Sequence, residues 1–307
     1  MLSKKLRVLV LGGGPSSEHE ISLKTAEMVY RHLDRKKYEP TLAAIPKKGK
    51  WNLPEGADIV FIAMHGEFGE DGQIQKILEN AGISFTGSGS YTSALGMDKL
   101  KSQAIFASHG LNVPKIIDLK NKFSYPIVIK PADRGSSVGV SIVRGPEELK
   151  TAVKKAEAVS KNILAQEFIL GAELTCGILD NGKNNLIPLL PTEIVPKKGD
   201  FFDFESKYKE SGSEEITPAR VSEEIIKEAQ DIAVKSHVLL ECAGFSRTDM
   251  ILSKKDGKLY VLEINTIPGL TAQSLLPKAA AVCGISFPKL LDHMVMSAVV
   301  KKNNTAI

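Results

Sequence analysis

Arg247-Thr248-Asp249-Met250-Ile251-Leu252, followed after a short turn by Leu259-Tyr260-Val261-Leu262-Glu263-Ile264-Asn265-Thr266-Ile267-Pro268-Gly269, is the stretch around which the chain is organised. The run 259–264 is short, apolar and bounded by Asp256-Gly257 and Pro268-Gly269, which predicts a strand. Glu263 and Asn265 lie two residues apart, so both leave the same face of it. Met250-Ile251-Leu252 predicts a partner strand, and the turn Ser253-Lys254-Lys255-Asp256-Gly257 predicts a hairpin that sets Asp249 beside Glu263 and Asn265. Two carboxylates and an amide are hard oxygen ligands and suit Mg²⁺ held jointly with substrate phosphates. A solvated sheet edge can carry a lone Glu-x-Asn. Here an apolar strand delivers the polar groups next to an arginine and a Pro-Gly turn, which favours chemistry.

Upstream of this stretch, 221–241 predicts a helix with Ser222 as N-cap and Glu223 and Glu224 complementing its dipole. Ile225 stands where a capping box needs Glu or Gln. From 197 to 218 the periodicity is lost, and the aromatics with Lys207-Tyr208 favour a closing loop over a linker. The apolar segment 163–170 predicts a strand that turns through Gly171-Ala172 into Glu173. It reads as a core strand or as a hinge whose backbone meets an adenine edge. The strand 126–131 ends on Lys130, and Arg134-Gly135-Ser136-Ser137-Val138-Gly139 follows it. Glycine freedom and hydroxyl donors let such a loop fold over phosphates as a lid. Asp98–Ala107 predicts a helix carrying Lys99 and Lys101.

At the start of the chain, Leu6–Leu11 predicts a strand, Gly12-Gly13-Gly14-Pro15-Ser16-Ser17 a turn, and 17–32 a helix. The glycine spacing does not fit G-x-G-x-x-G. Glu18 and Glu20 would stand where a pyrophosphate has to sit, so this helix start repels phosphate and welcomes an ammonium, or Glu18 simply complements the helix dipole. The strand 59–64 ends in His65-Gly66-Glu67-Phe68-Gly69-Glu70-Asp71-Gly72, at the strand end where α/β sheets bind ligands. Helix 73–80 and the segment 83–89 complete a run of βαβ units, hence an open, mostly parallel α/β layer.

The 307 residues predict two or three domains with a sizeable core. A net charge of +4 spread over the chain gives no basic face for nucleic acid. No apolar run approaches the ~20 residues that cross a bilayer. Cys176, Cys242 and Cys283 are odd in number and lack Cys-x-x-Cys spacing, which predicts buried thiols in a reducing cytoplasm. No Walker A motif occurs, which excludes a P-loop NTPase. The tail 287–300 predicts a last helix, with 301–305 frayed.

The set Gly13-Gly14-x-Ser16-x-Glu18-x-Glu20-x-Ser22, His65-Gly-x-x-Gly-Glu-Asp-Gly, Met97-Asp-Lys, Lys130-Pro, Gly135-Ser-Ser-Val-Gly, Lys207-Tyr208, Arg247-x-Asp249 and Glu263-x-Asn265-Thr-x-Pro-Gly resembles the D-alanine–D-alanine ligase family of the ATP-grasp superfamily, essentially end to end. The resemblance implies an α/β fold, α+β where ATP is clasped, in three domains: 1–92 for substrate, 93–178 as the central lid, and 179–307 with the metal site and closing loop. It implies ATP as substrate and two Mg²⁺ (or Mn²⁺) ions on Asp249, Glu263 and Asn265. Lys99 and Lys130 would take the α/β phosphates, and Ser136-Ser137-Val138 would form the lid. Adenine would meet Gln166 and the backbone of Glu167 and Ile169, and the ribose would meet Glu173. Many relatives carry a carboxylate at the position of Gln166; a neutral amide accepts a weaker bond, which bears on ATP affinity.

For D-alanine, the resemblance implies Glu18 and His65 at the first molecule, Ser274 and the Leu275 N–H at the second carboxylate, and Arg247 with the Gly269 N–H at the oxyanion. Lys207 would aid phosphoryl transfer, and Tyr208, Ser136 and Glu18 would fasten the closing loop. Lys207-Tyr208 is similar to the loop of dipeptide-forming members rather than D-lactate users. A cytoplasmic homodimer, with no nucleic-acid or membrane partner, completes the expectation. Another ATP-grasp carboxylate–amine ligase would share Asp249, Glu263 and Asn265 but lack Glu18 and His65 with the Tyr208 loop. A non-catalytic nucleotide-binding regulator would have lost Arg247 or a metal ligand.

Overall fold

The computed structural model describes residues 5–135, 137–180, 185–196 and 213–305, with side chains as far as 301. The strands β1 (Leu6–Gly13), β2 (Tyr38–Ile45) and β3 (Ile59–Ile62) form a parallel sheet in the order β2-β1-β3. Phe85 adds a parallel bridge to Val60. Val8–Leu11 are all buried, as a central parallel strand covered on both faces requires. Helix α1 (His19–His32) connects β1 to β2, and α2 (Gln73–Asn80) follows β3. Gly12 permits the close approach of α1 to β1: a Cβ there would lie 2.5 Å from Ala26 Cβ.

Helices α3 (Ser90–Met97) and α4 (Lys99–Ser108) lead to a second, antiparallel sheet of β4 (Ile127–Pro131), β5 (Ser141–Val143) and β6 (Ile163–Glu167), in the order β5-β4-β6. Helix α5 (Pro146–Glu157) covers it, and Ile127, Ile129, Val143, Ala152, Ala156 and Ala165 give this layer a core of its own. The apolar segment 163–170 is not one strand. β6 stops at Glu167 and β7 (Gly171–Asp180) begins in the third sheet, so 168–170 is the crossing between sheets.

That third sheet is antiparallel. It also contains β8 (Leu186–Pro188), β9 (Thr192–Pro196), β10 (Ser213–Ile216), β11 (Phe245–Ser253) and β12 (Leu259–Asn265), in the order β10-β9-β7-β11-β12 with β8 on β7. Helix α6 (Glu223–Leu239) packs on one face, where Ala229, Ile232 and Ala233 meet Leu174, Cys176, Ile178 and Met250. Its N-cap is Ser222, whose Oγ accepts from Ile225 N at 3.4 Å. Helices α7 (Leu275–Val282) and α8 (Phe287–Thr305) close the chain, and α8 runs on through 301–305, where fraying was expected.

α8 returns to the first layer. Leu290, Leu291, Met294 and Val295 share one core with Val8, Val10, Phe61, Leu179 and Phe245. Tyr38 hydroxyl and Lys37 Nζ, the latter at 2.8 Å, both bond Asp292. The expected cuts at 92/93 and 178/179 fall inside α3 and inside β7. No single helix among the described residues is long and apolar enough to cross a membrane; α7 and α8 pass that test only as a pair bent by 108°.

Candidate active site

The hairpin β11–β12 forms as expected and pairs Asp249 with Glu263 and Arg247 with Asn265. The register jumps between Asp249 and Met250, because Met250 pairs with Val261 and Leu262 is left over as a bulge. The extra residue keeps Val261 and Ile264 on the core face while Glu263 emerges on the other. The carbonyl of Leu262 accepts from Gln103 Nε2 of α4 at 2.6 Å. Gln103 Oε1 in turn accepts from Gln166 Nε2 at 2.6 Å, and the same nitrogen donates to Pro114 O at 2.9 Å. Two backbone carbonyls, which can only accept, thus fix the orientation of both amides.

This relay anchors α4 against the bulge. Lys99, one turn before Gln103, lies with Nζ 3.0 Å from Glu263 Oε2 and 2.6 Å from Arg134 O. Lys130 is buried at the end of β4, and burial, with Lys99 nearby, brings its ammonium down to about 8. Arg247 grips Asp249 in bidentate fashion, Nε and Nη2 each at 2.8 Å. Thr175 Oγ1 adds a third donor to Asp249 at 2.5 Å. Burial opposes the Arg247 charge, yet Asp249 raises its basicity further, so it stays cationic.

Asn265 Oδ1 accepts from Ile267 N at 2.9 Å. Among the described residues no group of three or more His, Cys, Asp or Glu is poised around a metal position. Two carboxylates and one amide nonetheless fit Mg²⁺, which takes one or two carboxylates and completes its shell from phosphates and water. Lys99 and Arg247, the present counter-ions of these carboxylates, are themselves phosphate and oxyanion binders by chemistry.

The opposite wall comes from the first sheet. Ser16 Oγ donates to His65 O at 2.7 Å and accepts from Glu18 N at 3.1 Å, which ties the start of α1 to the loop after β3. Glu18 Oε2 lies over Gly66, where a Cβ would be only 2.8 Å away. His65 is buried between Thr25 Oγ1 at 3.0 Å from Nε2 and Glu70 Oε1 at 3.3 Å from Nδ1. Burial works against a charge on His65, but Glu70, with Glu18 beyond it, outweighs that and favours the imidazolium.

One cavity of about 1230 Å³ joins the two walls. Glu18, His65, Lys99, Glu173, Arg247, Asp249, Glu263 and Asn265 line it, and so do Gly269, Ser274 and Leu275 at the start of α7. Ser274 Oγ accepts from Thr271 N at 3.0 Å, and a Cβ on Gly269 would sit 2.6 Å from that oxygen. Val138 lines a smaller cavity of about 120 Å³ beside Glu18 and Gly135. Lys130, Ser137, Gln166, Glu167 and Ile169 line neither. Gln166 is buried, with its amide nitrogen spent on Gln103 and Pro114, and Glu167 N–H is taken by Lys115 O at 2.9 Å. Ser136, Lys207 and Tyr208, and most of the expected closing loop 197–218, lie outside the described residues. Of the expected buried thiols, Cys176 and Cys242 are buried and free, both pushed up to about 12 by desolvation, and Cys283 is half-buried.

Sequence reasoning assigned no role to Glu70, Thr175 or Gln103. Thr175 was within reach, since it shares a strand face with Glu173 two residues away. Glu70 stands in the quoted glycine loop after His65. Gln103 left no signal, because its partner Leu262 sits in an unbroken apolar run.

Two family models match the chain: the D-ala D-ala ligase C-terminus over residues 94–296, and the D-ala D-ala ligase N-terminus over 7–58 and 52–88. The chain is 41% identical to a D-alanine–D-alanine ligase of Syntrophobacter fumaroxidans, over 96% of this chain and 98% of that one. It is similar to the solved D-alanine–D-alanine ligase of Bacillus anthracis complexed with ATP, with TM-score 0.83 and 30% identity, covering 99% of this chain and 100% of that one. It is also similar to the VanG D-Ala:D-Ser ligase of Enterococcus faecalis, with TM-score 0.85 and 30% identity, covering 96% and 100%. With matches that span both ends and the middle of the chain, the protein belongs to the D-alanine–D-alanine ligase family.

Proposed function

We propose that the protein joins two molecules of D-alanine into D-alanyl-D-alanine, converting ATP to ADP and phosphate, as a step in making peptidoglycan precursors. The observation that carries this is the single cavity in which Arg247, Asp249, Glu263 and Asn265 face Glu18 and His65. Glu18 receives the ammonium of the first D-alanine. One carboxylate oxygen of that molecule attacks the γ-phosphorus of ATP, which yields an acyl phosphate and ADP. Two like charges about 4 Å apart repel by ~4 kcal/mol at an effective dielectric of ~20, so the attack needs cations around it. Lys99, Lys130 and Lys207 supply them at the phosphates. Asp249, Glu263 and Asn265 would hold two Mg²⁺ (or Mn²⁺) ions, which neutralise phosphate charge when bound.

The amine of the second D-alanine attacks the acyl carbon. Arg247, held in orientation by its two bonds to Asp249, and the Gly269 N–H stabilise the tetrahedral oxyanion, which collapses with loss of phosphate. Ser274 and the Leu275 N–H bind the second carboxylate. Adenine lies at the crossing between β6 and β7 against Gln166, Glu167 and Ile169, the ribose at Glu173, and Ser136-Ser137-Val138 cover the phosphates. Tyr208 with Ser136 and Glu18 fastens the closing loop, because an acyl phosphate must be kept from water. The three layers, one to each sheet, cooperate in this closure. The protein works as a cytoplasmic homodimer.

The test is phosphate release from Mg²⁺-ATP with D-alanine, L-alanine, D-serine and D-lactate, singly and in pairs. Release with D-alanine alone, with formation of the dipeptide, is the expected result. Silence with every D-substrate overturns the reading, and preference for D-serine or D-lactate as second substrate overturns its specificity.

A further inference from the structure

Ser274 occupies the N-cap position of α7 without a capping bond from its side chain, and Lys278 follows one turn later on the same face of the helix. A helical side chain leans back toward the N-terminus of its helix, the end at which Ser274 stands. Both residues line the cavity. Lys278 Nζ meets Glu215 Oε2 there at 2.8 Å, with 39% of the lysine and 19% of the glutamate side chain exposed. Glu215 sits on β10 opposite Ile194 of β9, which sits opposite Glu173 of β7, so Glu215 shares the face of the third sheet that carries the site. The packing of α7 does not need this pair, because Leu276, Ala279 and Ala280 already seat the helix in the core. On the facing wall Lys24, Glu27 and Arg31 of α1 also line the cavity, and Arg31 is bonded to Glu27.

We propose that Lys278 binds the carboxylate of the second, attacking amino acid together with Ser274, and that Glu215 competes with that carboxylate for the ammonium. The assignment rests on the ligase reading above. The helix start and the Ser274 hydroxyl offer only partial positive charge, whereas a carboxylate is fully charged, and a lysine on the same helix face supplies what they lack. Glu215 keeps Lys278 neutralised and aligned until the substrate takes its place. Removing the lysine and removing the glutamate therefore act in different directions on the second substrate.

The experiment compares D-alanine with D-alaninamide as the attacking amine, in the wild-type protein and in Lys278→Met, Lys278→Arg and Glu215→Gln. The wild type favours D-alanine over the amide. Lys278→Met raises the KM of the second D-alanine about tenfold, leaves D-alaninamide where it was, and so cuts the preference about tenfold, as loss of one charge-assisted bond predicts. Lys278→Arg retains the preference, and Glu215→Gln does not raise the KM of the second D-alanine. A wild-type preference in Lys278→Met, or a rise in KM in Glu215→Gln, overturns the assignment. Thermal melts exclude a folding defect, and Lys278→Gln substitutes for Lys278→Met if that variant fails to fold. Failure of the wild-type protein to form any dipeptide would instead sink the ligase reading itself.

Discussion

Lys130 is charged only within a limited pH range. Burial, with the positive charge of Lys99 nearby, holds its ammonium at about 8, so a growing share of the free protein carries a neutral lysine above that pH. A phosphate chain binds the charged form, and ATP must then bring a proton with it. The KM for ATP is expected to rise roughly fivefold from about pH 8 to about pH 9, and Lys130→Arg, whose guanidinium does not titrate there, removes that dependence. Initial rates across ATP concentrations at each pH check this; a flat profile in the wild type contradicts it. At this scale the sequence showed the metal-type set clearly, since two-residue spacing and a turn suffice to put Asp249, Glu263 and Asn265 on one face. It did not show that Lys99 touches Glu263, because no local rule connects a helix to a strand so distant in the chain.

Among the elements, the bulge at Leu262 decides which side chains reach the cavity, and α4 depends on it. Gln103 satisfies the Leu262 carbonyl and receives Gln166, so Gln103→Met leaves one buried carbonyl and one buried amide nitrogen short of a partner. Unsatisfied buried groups cost about 1–3 kcal/mol each, so urea unfolding should show a loss of roughly 2–4 kcal/mol. Helix α4, which carries Lys99, loses this anchor at the same time, so ATP affinity should fall in the folded variant. Unchanged stability and unchanged ATP affinity would show that the relay is incidental. Period, glycine turns and the Ser222 cap made β1, β3, β4, β11, β12 and the helices α1, α2, α4, α6 and α8 legible, whereas β2, β8, β9, β10, α3 and α7 were not read from the sequence. The division of 163–170 between two sheets was not, because an apolar run looks the same within one sheet or across two.

For the whole molecule, the first and third layers stand or fall together, while the second keeps its own core. Leu291 of α8 is fully buried among residues of the first sheet, and Trp51, the one tryptophan of the chain, packs in that first layer. Leu291→Ala should lower the stability read by Trp51 fluorescence in urea by about 2–5 kcal/mol, although the change lies in the last helix. An unshifted Trp51 transition would mean that the first layer folds on its own. Sequence patterning showed βαβ units at the start and one antiparallel hairpin near the end, and the family resemblance implied the division into three layers. It could not reveal that α8 turns back to seal the first sheet, because amphipathic helices do not name the surface they cover.

The most direct test of the account follows oxygen. D-alanine labelled with ¹⁸O in its carboxylate is incubated with the protein and Mg²⁺-ATP, and the phosphate released is analysed by mass. Attack of that carboxylate on the γ-phosphorus predicts that each phosphate formed with dipeptide carries one ¹⁸O from the amino acid. Unlabelled phosphate alongside dipeptide would contradict the acyl phosphate, and with it the roles given to Arg247, Asp249 and Glu263.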